Sequence, residues 1–170
     1  MGKTFQESGL VFDFTSAKDV KKADKPNVQG LSAVDFIVEI NNEYIFIEVK
    51  NPDNIYANDV QRQEFLSELN LDKYPLKMAM KFKDTLLKEV VSGKTFEKPV
   101  TYLILLQFTS FDANQRLILL NKIREHIPLF KEPEYKAVER VSFSGVMNVK
   151  DFLDRYPEFC IVEQKSIGLR

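Results

Sequence analysis

An α/β fold, with a mixed central sheet flanked by helices, is the architecture this sequence predicts. Three observations carry the expectation. Residues 34–50 alternate apolar and polar side chains about a two-residue break, residues 100–108 form a near-continuous apolar run, and residues 74–92 and 113–126 show helical patterning. Strands interleaved with helices in this way build a sheet with helices on its faces. The 170-residue length suits a single domain spanning 1–170.

In chain order, the first element is a strand over 10–14, bounded by Gly9 and by Thr15-Ser16. Residues 18–30 hold four Lys, two Asp and Pro26 and read as a loop or broken helical turn. A loop of that length in a compact domain is a candidate functional segment. Strands over 34–40 and 43–50 follow, joined by Asn41-Asn42. Asparagine tolerates the left-handed conformation that a two-residue hairpin turn requires. That turn pairs Ile40 with Glu43, so paired residue numbers sum to 83. One face then carries Val34, Phe36, Val38, Ile40, Ile45, Ile47 and Val49. The other carries Asp35, Ile37, Glu39, Tyr44, Phe46, Glu48 and Lys50.

A short helix over 61–69 leads into the strongest helix, 74–92, with Asp72 to cap it and Gly93 to end it. Its apolar stripe reads as Leu76, Ala79, Met80, Leu86, Leu87, Val90 and Val91. The run at 100–108 is a buried central strand. A helix over 113–126 starts at Asp112 and stops before Pro128. A strand over 137–143, a short helix over 149–156 behind Asn148 and a last strand over 159–163 complete the chain.

Composition excludes several chemistries. Lys plus Arg number 24 against 25 Asp plus Glu, a net charge of −1, so nucleic-acid contact must come from a local patch. One Cys and one His exclude a disulfide framework and an ordinary structural zinc site. Carboxylates and lysines must therefore do any chemistry. No apolar run approaches the ~20 residues that span a bilayer. No basic-then-apolar leader opens the sequence either, so a cytoplasmic protein with no membrane association is expected.

The hairpin register sets Asp35 opposite Glu48, with Lys50 two residues further along the same face. Like charges directly opposed destabilise a sheet. A divalent cation resolves the conflict, because Mg²⁺ is commonly held by one or two carboxylates plus waters and substrate phosphate. The main-chain carbonyl of Val49 offers a further oxygen, and the Lys50 ammonium stands where it can steady a developing hydroxide and phosphate charge.

These residues resemble the core of the PD-(D/E)XK nuclease superfamily, the restriction-endonuclease-like fold. Val34-Asp35-Phe36 is followed by a hairpin and by Ile47-Glu48-Val49-Lys50. The resemblance implies an αβββαβ core over about 5–110, with a C-terminal helix and strand elaboration over 111–170. It implies a Mg²⁺-dependent phosphodiesterase, with Mn²⁺ able to substitute, acting on nucleic acid and on DNA ahead of RNA. Asp35 and Glu48 would be metal ligands and Lys50 the catalytic lysine. The family usually adds a Glu from a preceding helix, and Glu7 is the candidate for it here. Val34 stands where the family pattern often has Pro. The Gln-x-x-x-Tyr motif of one branch is missing, since Phe65 and Ser67 follow Gln61 and Gln63 at that spacing. No separate DNA-reading module is recognisable, so sequence specificity would need a homodimer or a separate partner. The other reading is a binding module that keeps this fold without turnover; a third is an unrelated mixed α/β domain.

Residues 73–98 hold seven Lys against Asp84, Glu89 and Glu97. Lys77, Lys81, Asp84 and Lys88 share one helix face. In the resembled fold this helix often directs a Lys or Gln toward the active site, so Lys77 and Lys81 are the candidate nucleic-acid contacts. A solvated helix face is the alternative. Other motifs carry no function. Ser92-Gly93-Lys94-Thr95 has Lys88 where a phosphate loop needs Gly. His126 suits a helix C-terminus, Cys160 reads as a small buried hydrophobe, and Ser142 and Ser144 lack a nucleophile frame.

Overall fold

A computed structural model describes residues 3–25, 30–54, 58–70, 73–127 and 141–164. The hairpin forms as its alternation requires. Ile40 N–H donates to the Glu43 carbonyl at 3.0 Å across Asn41-Asn42. Strand β4 (Phe36–Glu39) pairs antiparallel with β5 (Tyr44–Lys50), Phe36 opposite Ile47 and Glu39 opposite Tyr44. Next to β5 runs β6 (Val100–Leu106), parallel and buried along its whole length, and beyond it β7 (Val141–Met147), also parallel. On the other side, β3 (Asp19–Lys22) pairs antiparallel with β4. The result is a five-stranded mixed sheet in the order β3-β4-β5-β6-β7. Strands β1 (Thr4–Glu7), β2 (Leu10–Asp13) and β8 (Cys160–Glu163) form a second, antiparallel sheet in the order β1-β2-β8. Four helices complete the described residues: α1 (Asp59–Asn70), α2 (Lys73–Val91), α3 (Ala113–Glu125) and α4 (Val149–Arg155).

The hairpin's alternation sorts side chains into two cores. Phe36, Val38, Ile45, Ile47 and Val49 pack in one cluster with Phe12, Phe14, Phe152, Tyr156 and Ile161. The opposite sheet face places Ile37, Tyr44, Phe46 and Tyr102 under Tyr74, Met78, Ala79 and Phe82 of α2 and Leu119 and Ile123 of α3. Phe82 stacks on Tyr102 with ring centroids 5.0 Å apart, and the Tyr102 hydroxyl donates to the Met78 carbonyl at 3.0 Å. Each such side chain contributes about 1.5–3 kcal/mol by burial, which fixes α2 across the end of the sheet where the candidate site lies.

Caps follow the sequence. Asp112 and Gln115 form a reciprocal capping box on α3, and Asn148 caps α4. Gly93 ends α2 at φ +84°, with Gly93 N–H on Val90 O and Lys94 N–H on Glu89 O. His126 caps the C-terminus of α3. Asp72 and Pro128 lie outside the described residues, as does 137–140 of the expected strand 137–143; the observed strand is Val141–Met147.

Five expectations need correction. The Lys-rich segment 18–30, read as a loop or broken helical turn, contains β3, an edge strand whose lysines suit an unpaired sheet margin. The terminal strands form a separate sheet instead of joining the central one. Cys160 is exposed, because Ile161 is the β8 residue that turns inward. Val34 packs with Ile37 and Phe46, not with Phe36 and Val38, because the β4 ladder is irregular just upstream of Phe36. Finally, α2 is rotated. It buries Tyr74, Pro75, Met78, Ala79, Phe82, Thr85 and Glu89, and leaves Leu76, Met80, Leu87, Val90 and Val91 45–78% exposed. The two aromatic rings cover more sheet than the aliphatic stripe could. No helix among the described residues is long and apolar enough to cross a membrane.

Candidate active site

Alternation along β5 turns Tyr44, Phe46 and Glu48 toward α2. Glu48 is therefore fully buried beneath the helix, at 0% exposure. Lys81, near the middle of α2, donates to both of its carboxylate oxygens, at 2.7 and 2.9 Å. Lys50, half-buried at the end of β5, places its ammonium 2.8 Å from Glu48 Oε1. One carboxylate thus holds two ammonium groups.

Asp35 arrives from the strand beside it. Its amide donates to the Ile47 carbonyl at 3.0 Å. Its Oδ2 accepts the Val49 N–H at 2.7 Å, supplying an acceptor where β4 no longer offers a main-chain one. Helix α2 also holds the chain that leads into Asp35. Ser32 donates through its N–H and Oγ to Asp84 Oδ2, at 3.0 and 2.8 Å. Val34 N–H donates to Thr85 Oγ1 at 2.9 Å, and Thr85 Oγ1 donates to the Lys81 carbonyl at 2.6 Å. One helix therefore positions both Lys81 and Asp35.

Electrostatics follow from the geometry. Burial, and next the Glu48 charge, push the Asp35 carboxyl up to about 7, against the pull of Lys81, the Val49 N–H and Lys50. Burial works to lower the Lys50 ammonium, but the Glu48 carboxylate outweighs it and the net shift is upward. The Tyr74 hydroxyl is raised well above its usual range by burial and then by Glu48, and it is buried without a hydrogen-bond partner.

The remaining candidates separate. Lys81 belongs to the site itself, whereas Lys77 is exposed and pairs with Glu68 of α1 at 3.3 Å. The face shared by Lys77, Lys81, Asp84 and Lys88 is thus spent on internal bonds, Lys88 donating to Ala23 O at 2.8 Å. Glu7 sits at the end of a strand, not on a helix, and pairs with Lys22 at 2.9 Å. Its charge still reaches Lys50, so it stands at the rim.

The donor set is compatible with a hard cation. Among the described residues no group of three or more His, Cys, Asp or Glu side chains comes together to hold a metal. Mg²⁺ needs only one or two carboxylates when waters and phosphate fill its shell. The described residues give the second Asp35 oxygen no hydrogen-bond donor. The Lys50 carbonyl accepts from Gln107 N–H on the β6 side at 2.8 Å. The alternation of main-chain directions then turns the Val49 carbonyl toward Asp35.

No protein-family model matches the chain, and neither does any curated protein or solved structure. The functional reading rests on the site. Sequence reasoning named Asp84 only as a member of the lysine face, without its bonds to Ser32, and missed Thr85 and Tyr74. The one available signal was Thr85, a polar residue four positions after Lys81 on a helix that had to cover an apolar sheet.

Proposed function

We propose that this chain is a Mg²⁺-dependent nuclease-like phosphodiesterase acting on nucleic acid, DNA ahead of RNA, whose succession β3-β4-β5, helix, β6 corresponds to the restriction-endonuclease-like core without the leading helix of the expected αβββαβ order among the described residues. One observation carries the reading: a fully buried glutamate gripped by two lysines, beside an aspartate whose carboxyl is raised to about 7. Such a cluster is a poor stability device, since well-packed apolar residues of similar volume usually serve as well or better. The strained acid calls for positive charge.

In this proposal Asp35, Glu48 and the Val49 carbonyl hold the cation, with Mn²⁺ able to replace it. When bound, the cation neutralises phosphate charge and acidifies a coordinated water. Lys81 keeps Glu48 in one orientation through two hydrogen bonds, and a cation taken by this carboxylate would share its oxygens with the Lys81 and Lys50 ammonium groups. Lys50 presents its ammonium to the attacking water and to the phosphoryl oxygens as charge builds on them. Water oxygen bonds to phosphorus as the phosphorus–oxygen ester bond breaks; the water gives up a proton to solvent and the leaving oxygen takes one from solvent.

A second reading has its own support. Lys50 and Lys81 balance the two carboxylates without a metal, as they would in a binding module that has lost turnover. Calorimetric titration with Mg²⁺ and Mn²⁺ separates the readings. The enzyme binds at millimolar concentration or tighter, loses binding in Glu48→Gln, and cleaves nucleic acid only with metal. Metal-independent nucleic-acid binding with no heat of metal binding identifies the module.

A further inference from the structure

Beside Lys50 a cavity of about 520 Å³ opens between the β1–β2 turn, the segment after β5 and helix α1. Its lining includes Ser8, Lys50, Asn51, Gln61, Arg62 and Phe65. Because Lys50 belongs both to this lining and to the cluster around Glu48, an occupant lies against the candidate active site. The volume falls within the range of about 300–1,000 Å³ usual for small-ligand sites.

The walls are organised. Ser8 and Gly9 both take positive φ, +50° and +74°, in the tight β1–β2 turn. A Cβ on Gly9 would come within 2.4 Å of Asn54 Oδ1, so the turn is pressed against the segment after β5. Asn51 donates from Nδ2 to the Ser8 carbonyl at 3.0 Å, which orients its amide. Its Oδ1 is then buried with no donor. That oxygen is closed off from the opening, so the amide braces the turn from within the wall. Phe65 is braced edge-on by Tyr74 and Phe108, with centroids 5.2 and 5.8 Å away, and presents a rigid aromatic surface. Arg62 is held at the Pro52 carbonyl through Nε at 3.2 Å and is 39% exposed, so its guanidinium stands between cavity and solvent.

One aromatic wall and two cations suit a nucleotide. The ring takes a base by its face, and Lys50 and Arg62 take phosphate oxygens. A base inside a duplex cannot enter such a cavity without leaving its stack, whereas an unpaired strand offers its bases freely. We propose that this cavity binds an unpaired nucleotide adjoining the phosphate at Lys50, which makes single-stranded nucleic acid the substrate class. The proposal rests on the nuclease reading for the identity of that phosphate.

The test is fluorescence anisotropy in EDTA with a labelled oligo(dT) and a labelled duplex of equal length, alongside a Mg²⁺ cleavage assay on both. The single strand binds about tenfold or more tightly than the duplex. Arg62→Gln and Phe65→Leu each remove about tenfold of single-strand affinity and leave duplex binding unchanged. Arg62 is a surface residue, so Arg62→Gln keeps the test valid if Phe65→Leu folds poorly. Equal or stronger duplex binding, or parental single-strand affinity in Arg62→Gln, overturns the cavity assignment even if Mg²⁺-dependent cleavage is present. Cavity-dependent single-strand binding with no cleavage under Mg²⁺ or Mn²⁺ supports the assignment and removes the nuclease reading alone.

Discussion

Replacing Asp35 with Asn tests the electrostatics of the site without deforming it. The amide oxygen can still accept the Val49 N–H that Oδ2 holds at 2.7 Å, while the negative charge beside Glu48 disappears. In the parent the carboxyl rises from 3.8 to about 7 on folding. The folded state therefore binds this proton more tightly than the unfolded chain. Stability is greatest below about pH 4, falls as pH rises toward 7, and then levels off. At 1.36 kcal/mol per pH unit, the upper bound on that loss is about 4 kcal/mol. Urea unfolding in EDTA at pH 5, 6, 7 and 8 measures it. The variant minus parent difference is expected to move in favour of Asp35→Asn by about 2–3 kcal/mol between pH 5 and pH 8, part of the loss having already occurred below pH 5. Subtraction cancels titrations elsewhere in the chain. A difference that does not change with pH refutes the buried, Glu48-opposed acid. Under the proposed function, millimolar Mg²⁺ restores the parent at pH 8 and does little for the variant.

Other substitutions probe the supports. Lys81→Met leaves the fully buried Glu48 with Lys50 alone and is expected to cost about 3–5 kcal/mol in denaturant unfolding. Lys77→Met, which breaks only the exposed pair with Glu68, should stay within about 0.5 kcal/mol; equal costs would place Lys81 on the solvated face instead. Thr85→Val leaves the Val34 N–H without its acceptor, so a loss of about 1–3 kcal/mol is expected from chemical unfolding, and no loss would show that this N–H finds another partner. Gly9→Ala forces a Cβ onto Asn54 and into a positive-φ position. It should lower stability by about 1–2 kcal/mol and weaken oligo(dT) binding in the anisotropy assay, and unchanged binding would detach the turn from the cavity.

The parts of this structure legible in the sequence are those set by local rules. The 34–50 hairpin was readable because a period of two and an Asn-Asn turn leave one register, and that register is the observed one from Phe36 to Glu39. The caps at Asp112 and Asn148 and the stop at Gly93 were readable for the same reason. What depends on orientation between elements was not. The rotation of α2 is decided by how Tyr74 and Phe82 fit the sheet, and that rotation brings Lys81 onto Glu48. The expected repulsion between Asp35 and Glu48 is present in the raised Asp35 carboxyl, but two lysines, one from an element the hairpin could not reveal, offset much of it. Strand β3 escaped notice because an edge strand has no need of an apolar pattern.

The pairing of β2 with β8 also has a consequence in time. Leu10 lies opposite Glu163 and Asp13 opposite Cys160, partners about 150 residues apart. On a ribosome adding about 5–20 residues per second, β2 waits roughly 7–30 s for the strand that completes its sheet. Through that interval Phe12 and Phe14 lack Phe152, Phe159 and Ile161, the side chains that cover them in the finished core. The nascent chain thus carries an unmatched strand edge beside an aromatic surface until the last helix and strand emerge. Versions shortened before residue 149 would keep that state permanently, and their expected fate is aggregation rather than a smaller stable fold.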